Sequence, residues 1–264
     1  MINTRIIRIG GMVFRHIYLW RKSLSRFTDT FYWPVLSLLI WGYVSIYFIN
    51  KGSPPNLIAS LLGGLIFWTL IQRSQQDMSI GMLEDGWNRN LINIFATPIT
   101  IWEYLIGLMV VAFIKMMAGF IVVGIVAFFL FHFNIYSFGI YLPLFILNLL
   151  LCGWWAGIVT NGLIIRYGYE MEALAWTIIF LLQPFSGVFY PISILPGWMQ
   201  IIARLTPPSY IFEGLRALVF DGYFDWMLFG QSLGLNIIFI ILTLLFYKRM
   251  FDSARDKGYL TKLF

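Results

Sequence analysis

The residue types that carry out catalysis are scarce in this sequence and stand far apart. His16 and His132 lie in distant parts of the chain, and Cys152 is the single cysteine, so no His- or Cys-based metal site is expected. Asp221 and Asp225 are better explained by roles in a helix cap and a turn than by metal binding. No G-x-x-x-x-G-K-[ST] loop occurs, so the sequence shows no nucleotide-binding loop of that kind. We expect no catalytic residue, no metal and no cofactor in this chain.

One charged side chain stands inside an otherwise apolar stretch. Lys115 lies about 20 Å along a helix that starts at Ile101, near the middle of a membrane. An ammonium group is costly there and usually faces a cavity or a partner. Two interpretations stay open: Lys115 lines a substrate pathway, or it pairs or snorkels for structural reasons, with Glu170 and Glu172 as partners by charge alone.

A second group of candidates mixes polar and aromatic side chains beside several prolines. Gln183, Ser186, Phe189 and Tyr190 lie in the run Gln183-Pro-Phe-Ser-Gly-Val-Phe-Tyr-Pro191. A proline inside a helix breaks or kinks it, and broken backbone in a membrane is tolerated where it is buried or lines a cavity. These four residues either contact a transported substrate or pack beneath the segment that follows them.

Long apolar segments must position all of these residues. The chain has 264 residues, of which 60% are hydrophobic and only 11% charged, unlike a soluble domain. Five stretches lack Asp, Glu, Lys and Arg, and because a membrane-crossing helix needs about 20 such residues, the longest stretch holds two helices. Unbroken apolar runs indicate helices and not a barrel. We predict an all-α polytopic membrane protein with six spans: 30–50, 54–72, 101–131, 139–161, 173–190 and 226–247.

Basic residues fall mostly on one side of these spans. An even number of spans puts both termini on the same side, which receives most of the 18 Lys and Arg residues. The positive-inside rule then places both termini, including the tail 248–264, in the cytoplasm. We expect the protein in the inner or plasma membrane of the cell. Topology and anionic lipid explain the net charge of +6, so nucleic acid is not an expected partner.

The first 28 residues predict an amphipathic helix in the cytoplasmic interface and not a signal peptide. Arg8, Arg15 and Lys22 fall on one arc at about 100° per residue, and Ile9 and Ile17 fall on another. No apolar core of the length found in signal peptides is present. The helix either anchors the chain on the membrane surface or also contacts a cytoplasmic partner.

The stretch between the second and third spans predicts a cytoplasmic helix over 79–96. Apolar residues recur there at helical spacing and form one face, whereas Glu84 and Asp85 point elsewhere. Thr97-Pro98 ends this helix, and Thr100-Ile-Trp-Glu103 matches a capping box at the start of the third span. The helix either offers a charged surface to a partner or lies at the interface without one.

The segment between the fifth and sixth spans predicts an external hairpin, 196–220, made of two helices too short to cross a membrane. Thr206-Pro-Pro208 separates these helices. Glu213 and Arg216 stand three positions apart and can pair. Asp221-Gly222 ends the second helix.

Together these elements resemble the membrane-spanning permeases of ABC-2 type exporters. Leu83-Glu-Asp-Gly-Trp-Asn-Arg-Asn-Leu-Ile-Asn-Ile-Phe-Ala-Thr-Pro-Ile-Thr100 is similar to that family's acidic coupling helix and Thr-Pro turn. The segment before the last span is similar in Ser186-Gly-Val-Phe-Tyr-Pro191, Leu195-Pro-Gly-Trp-Met-Gln200, Thr206-Pro-Pro208 and Glu213-Gly-Leu-Arg216. The order of the elements extends the resemblance to essentially the whole chain.

The resemblance implies a division of labour between subunits. Such permeases work as two copies, each bound to a cytoplasmic ABC ATPase subunit that holds ATP and Mg and pushes on the coupling helices. The N-terminal helix around Arg8, Arg15 and Lys22 would lie beside the same partner. The coupling positions implied here are Glu84, Asp85, Trp87, Arg89 and Asn90. We expect Ala at both carboxylates to leave insertion intact and to uncouple ATP hydrolysis from transport.

The expected partners are therefore an ATPase subunit, a second permease copy and membrane lipids. Small residues on the first two spans permit close helix packing, either inside one copy or in a homodimer. They are Gly42, Ser45, Ala59, Gly63 and Gly64.

Two other functions stay open at this point. An ion-coupled secondary transporter would be expected to show inverted repeats, and a membrane-embedded lipid-modifying enzyme would need paired acids or histidines on one face. The substrate also stays open. An aromatic content of 19% suits a glycan, a drug or a lipid, although aromatic belts at the membrane interfaces already use many of these residues.

Overall fold

The structure, a computed structural model, describes residues 4–54 and 56–257. Within these ranges the chain forms α-helices joined by short turns and 3₁₀ segments. The helices are α1 (Thr4–Lys22), α2 (Leu24–Asn50), α3 (Asn56–Trp87), α4 (Leu91–Ala96), α5 (Ile101–Phe131), α6 (Tyr141–Tyr167), α7 (Glu172–Ser186), α8 (Gly197–Arg204), α9 (Pro207–Phe220) and α10 (Trp226–Asp256).

Four helices among the described residues are long and apolar enough to cross a membrane: α2, α5, α6 and α10. The prediction of six spans is therefore supported only in part. Helix α7 has 15 residues, which gives a length of about 22 Å, below the ~30 Å of a bilayer's hydrocarbon core. Helix α3 is long enough, with 32 residues, but its second half carries several charged side chains.

The prediction of a separate helix over 79–96 is wrong. Helix α3 continues without a break from the predicted second span to Trp87, and the short helix α4 follows after a turn. Residues 73–79 contain no Gly or Pro that would end the helix. Their polar side chains are buried inside the protein, so the helix continues through this stretch. The break comes at Arg89, whose φ of 50° lies in the left-handed region.

The ends of the long helices follow the local signals in the sequence. The predicted capping box at the start of α5 is confirmed: the Glu103 amide donates to the Thr100 hydroxyl at 3.2 Å, and the Thr100 amide donates to the Glu103 carboxylate at 2.8 Å. Asp225 caps α10 by accepting from the Met227 amide at 2.8 Å, as its predicted capping role requires.

Helix α3 lies at the centre of the molecule, packed against α2, α5, α6, α7 and α9. Its contact with α6 is close because Gly153 has no side chain. A Cβ at Gly153 would collide with the Ser74 hydroxyl and lie 2.8 Å from the Ile71 carbonyl oxygen. The backbone of α3 therefore fixes the distance to α6.

Substituting Gly153 with Ala should destabilise the protein by about 1–3 kcal/mol, because the added methyl group overpacks the α3–α6 contact. Thermal unfolding in detergent measures this loss. Gly234→Ala in α10 is the matched control, since a Cβ there meets no atom within 4 Å, and it should leave stability unchanged or raise it slightly. Equal unfolding temperatures for the two variants would contradict the role given to Gly153.

Two of the small residues on the first two spans pack inside this chain. A Cβ at Gly42 would collide with the ring of Phe131, and one at Gly64 would lie 2.6 Å from the Val188 carbonyl oxygen. Packing within one copy accounts for both glycines, so they give no support to a dimer interface.

The predicted pairing in the external hairpin is confirmed. Arg216 lies 2.9 Å from the Glu213 carboxylate and donates to the Gly187 carbonyl oxygen at 2.6 Å. The same Glu213 carboxylate accepts from the Ile192 amide at 2.7 Å. The pair therefore ties α9 to the end of α7, where Gly187 has a φ of 62°.

Candidate functional site

A buried carboxylate joins three helices near the end of α3. Asp85 is fully buried, and it pairs with the guanidinium group of Arg15 in α1. His16 Nε2 lies 3.2 Å from Oδ2 of Asp85, and the Tyr104 hydroxyl in α5 donates to the same oxygen at 2.9 Å. The carboxylate therefore holds α1 and α5 against α3.

The neighbouring carboxylate has a different environment. Glu84 is buried and pairs with Arg26 of α2 at 2.8 Å. Burial raises the pKa of Glu84 above its ordinary value, against the opposing charges of Lys115, Arg26 and His16. Burial acts on Asp85 in the same direction, but contacts with His16 and Arg15 outweigh it and lower the pKa of Asp85 below its ordinary value.

The prediction that Glu84 and Asp85 face outward is wrong. Helical periodicity places them off the apolar face of 79–96, but cations from α1 and α2 cover them. The surface that remains open is the turn between α3 and α4. Trp87 is 42% exposed and Arg89 is exposed, while Asn90 is half-buried.

The basic face predicted for the N-terminal helix is divided. Arg8 turns inward, and its Nε donates to the Glu103 carboxylate of α5 at 3.0 Å. Arg15 also turns inward, to Asp85. Lys22 stays exposed, with its ammonium 5.6 Å from the ring centroid of Tyr18. Of these three basic residues, only Lys22 is exposed and not paired with a carboxylate, so it can bind a lipid headgroup or a protein partner.

A second ionic cluster surrounds Asp77 on α3. Arg73 lies 2.9 Å from the Asp77 carboxylate and 3.3 Å from Asp29 of α2. The ammonium of Lys115, which is only 6% exposed, lies 3.7 Å from Asp77. The prediction of Glu170 or Glu172 as the partner of Lys115 is wrong. Sequence reasoning missed Asp77, although its spacing of four from Arg73 on a continuing helix would have been a signal.

A groove of about 450 Å³ opens between α2, α3 and α7. Three of its Trp side chains differ in accessibility: Trp68 is buried at 2% exposure, whereas Trp33 is 55% and Trp176 is 40% exposed. A stacked pair forms one wall, with the ring centroids of Trp41 and Phe189 4.2 Å apart. Its aromatic lining consists of Trp33, Trp41, Trp68, Trp176, Phe180 and Phe189.

The groove also carries polar groups, and it includes part of the predicted pathway. Gln183 and Phe189 line it, but Ser186 and Tyr190 are not in its lining. The Ser186 hydroxyl donates to the Leu182 carbonyl oxygen at 2.7 Å, and the Tyr190 hydroxyl donates to the Pro184 carbonyl oxygen at 2.8 Å. The polar lining consists of Asp29, Ser37, Thr69, Gln72, Arg73, Gln76 and Gln183.

A smaller cleft of about 320 Å³ continues from the groove toward the end of α3. The two cavities share Asp29 and Trp176 in their linings. Lys115 lines this cleft together with Glu84 and Trp87. The groove, the buried ionic clusters and the turn after Trp87 therefore follow one another along α3.

Comparisons with known proteins identify the family of this chain. The family model described as ABC-2 type transporter matches residues 16–220, which is most of the chain. A stretch of 64 residues is 30% identical to the uncharacterized protein YhgE of Bacillus subtilis (strain 168). That stretch is 24% of this chain but only 8% of the relative, so this chain matches a small part of YhgE. The family match, over residues that include the three apolar helices α2, α5 and α6, shows that the chain belongs to the ABC-2 type transporter family, as a membrane-embedded protein.

Proposed function

We propose that this chain is the permease subunit of an ATP-driven ABC exporter, and that two copies face each other to form the translocation pathway. The observation that carries the proposal is the groove between α2, α3 and α7. Trp33 and Trp176 line this groove and are exposed in a single chain, and a second copy opposite would cover them. Ring–ring contacts between the two copies would favour their association, since burial of apolar surface alone drives no association of helices in lipid.

The turn after Trp87 is the proposed docking site of a separate ATPase subunit. Its exposed side chains include a Trp and an Arg, two residue types that contribute strongly to protein interfaces. Lys22 on α1 is exposed on the helix that Arg15 ties to Asp85 on α3. In this proposal ATP and Mg are held by the partner, and this chain transmits the partner's movement.

Helix α3 is the element that would transmit that movement. Trp68 and Arg73 of the groove and Trp87 of the turn belong to one unbroken helix. Arg73 and Trp87 are about 21 Å apart along its axis. Since the helix is continuous between them, a displacement of the turn would shift one wall of the groove. The carboxylates of α3 pair with α1 and α2, so these helices follow the same displacement.

Removing the charge of Arg89 should weaken binding of the ATPase subunit about tenfold, because an interface arginine of this kind contributes about 1–2 kcal/mol. Arg89→Asn is the suitable substitution, since Asn accepts the left-handed backbone of this position. Titrating the purified ATPase subunit onto the permease in nanodiscs measures the affinity. Arg204→Asn on the exposed external hairpin is the matched control and should bind normally. Unchanged affinity of Arg89→Asn would contradict docking at this turn.

The exporter function itself is tested by purification from the native membrane. We expect the tagged chain to bring down a subunit with a phosphate-binding loop, and the reconstituted complex to hydrolyse ATP when substrate is moved. Full transport activity of the purified chain alone would contradict the proposal.

A further inference from the structure

Helix α1 is held against the starts of two helices that can cross a membrane. Its last residue, Lys22, is separated from the start of α2 by Ser23 alone. Nearer its own start, Arg8 pairs with Glu103, the third residue of α5. Both α2 and α5 are long and apolar enough to cross a membrane. A helix of 19 residues, about 28 Å long, that joins the starts of two crossing helices lies along the membrane surface.

The two faces of α1 have different surroundings. Its inner face is buried against the rest of the chain and includes His16 and Trp20. At about 100° per residue, the opposite face carries three large apolar side chains that are more than half exposed: Ile7, Phe14 and Tyr18. Such a surface is unfavourable in water. Because α1 lies at the membrane surface, lipid is the medium that covers this face.

Two cations lie at the C-terminal end of the exposed face. Arg21 and Lys22 are exposed, and neither belongs to an ion pair in the part of the chain that the structure describes. They line a cleft of about 380 Å³ together with Phe14, Ile17 and Tyr18. The rings of Phe14 and Tyr18 are stacked with their centroids 6.3 Å apart, and the Lys22 ammonium lies 5.6 Å from the Tyr18 centroid. The cleft therefore combines apolar side chains with two charges that no carboxylate compensates.

A phospholipid with a net negative charge matches this combination. Its phosphate meets the two cations, and its acyl chains pass over the apolar side chains. A zwitterionic lipid fits less well, because its own ammonium group already compensates its phosphate. The cytoplasmic leaflet carries anionic lipid, and each Lys or Arg near its surface adds to the attraction. The predicted orientation, with both termini in the cytoplasm, puts α1 at this leaflet.

We propose that the cleft at Arg21 and Lys22 binds the headgroup of an anionic phospholipid, and that the exposed apolar face of α1 rests in the same leaflet. Most of the basic arc predicted from the sequence is not available for this contact, because Arg8 and Arg15 pair with carboxylates of α5 and α3. With Lys22 bound to lipid, docking of the ATPase subunit rests on the turn after Trp87. The inference does not depend on the exporter function.

Titration of lipid onto the purified full-length chain in mild detergent tests the site, with native mass spectrometry counting the bound molecules. Dioleoylphosphatidylglycerol is the anionic probe. Dioleoylphosphatidylcholine has the same acyl chains without net charge, and glycerol phosphate has the phosphate without acyl chains. We expect the phosphatidylglycerol to bind about tenfold more tightly than the phosphatidylcholine. Equal binding of the two lipids, or equally tight binding of glycerol phosphate, would overturn the assignment.

Two double variants distinguish a site from a diffuse attraction. Arg21→Gln with Lys22→Gln should weaken phosphatidylglycerol binding about 20-fold and leave phosphatidylcholine binding unchanged, because two cations at the phosphate are lost. Lys248→Gln with Arg249→Gln is the matched control, since it removes the same charge from exposed residues near the end of α10. This control should bind phosphatidylglycerol normally. Equal losses in the two variants would overturn the site.

The substituted side chains are exposed, so both variants should unfold at the temperature of the parent chain. If the variant of the cleft unfolds earlier, Arg21→Gln alone decides, with an expected loss of about fivefold. Undiminished lipid binding by the variant, together with lost binding of the ATPase subunit, would assign this face to the protein partner and overturn the lipid site.

The outcome is separable from that of the proposed function. Lost lipid preference with normal binding of the ATPase subunit supports the lipid site and keeps the exporter. Lipid selectivity in a parent chain that recruits no ATPase subunit supports the lipid site and refutes the exporter.

Discussion

Replacing Asp85 with Asn is expected to lower the free energy of unfolding by about 3–5 kcal/mol, the usual cost of removing one partner of a buried ion pair. The carboxylate is fully buried and receives Arg15, His16 and Tyr104 from two other helices. An amide cannot balance the charge of Arg15. Thermal unfolding of the purified chain in mild detergent measures the effect.

Glu84→Gln is the matched control for that prediction, because the two carboxylates are adjacent and both buried. Burial raises the pKa of Glu84, so its ionised form is disfavoured in the fold, and a neutral amide should cost little. The lowered pKa of Asp85 has the opposite consequence. Its stabilising contribution is complete above the ordinary value of 3.8 and is lost as the pH falls through the lower, folded-state pKa. Similar losses for Asp85→Asn and Glu84→Gln would contradict this assignment.

Replacing Asp77 with Ala is expected to cost a similar amount, about 3–5 kcal/mol, because two buried cations lose their shared carboxylate. Arg73 and Lys115 both lie against it, at 2.9 Å and 3.7 Å. Adding Lys115→Met to the same chain should recover part of the loss, since one of the two uncompensated charges is then removed. Unfolding of the single and double variants forms a thermodynamic cycle that isolates the pair.

Lys115→Met alone decides between the two interpretations of this lysine. If Lys115 serves to pair with Asp77, the variant stays folded and transports normally, because Arg73 still compensates the carboxylate. Loss of transport with unchanged stability would instead place Lys115 in the pathway. Asp252→Ala, at a side chain of an exposed pair with Arg255, is the control and should change stability by less than about 1 kcal/mol.

The features that were predictable from sequence are those fixed by neighbouring residues. The capping box at Thr100 and Glu103, the pairing of Glu213 with Arg216 and the cap at Asp225 each depend on residues within four positions. Such signals are read directly from spacing. The start of α5 at Ile101 follows from the first of them.

The features that were missed depend on residues far away in the chain. Periodicity alone puts Glu84 and Asp85 on a polar face, and only the fold brings Arg15 to Asp85 across 70 positions. The groove is similar. Gln183 and Phe189 were predicted from a proline-broken run, but α2 and α3 supply Trp33 and Trp68, which no local pattern connects to them.

The burial of both carboxylates also changes how coupling has to be tested. Alanine at Glu84 and Asp85 removes ion pairs between α3 and its neighbours, so lost transport in that double variant would report a damaged fold. Arg89→Asn changes the exposed turn and leaves those ion pairs in place. Coupling is therefore measured at the turn and stability at the carboxylates.

The ion pairs of α1 also determine when this helix can dock during synthesis. Arg15 pairs with a residue 70 positions later and Arg8 with one 95 positions later. The ribosome must therefore release the start of α5 before α1 has both carboxylates available. Until then its two guanidinium groups remain with water and lipid phosphates, so α1 reaches its final place only after the start of α5 has been made.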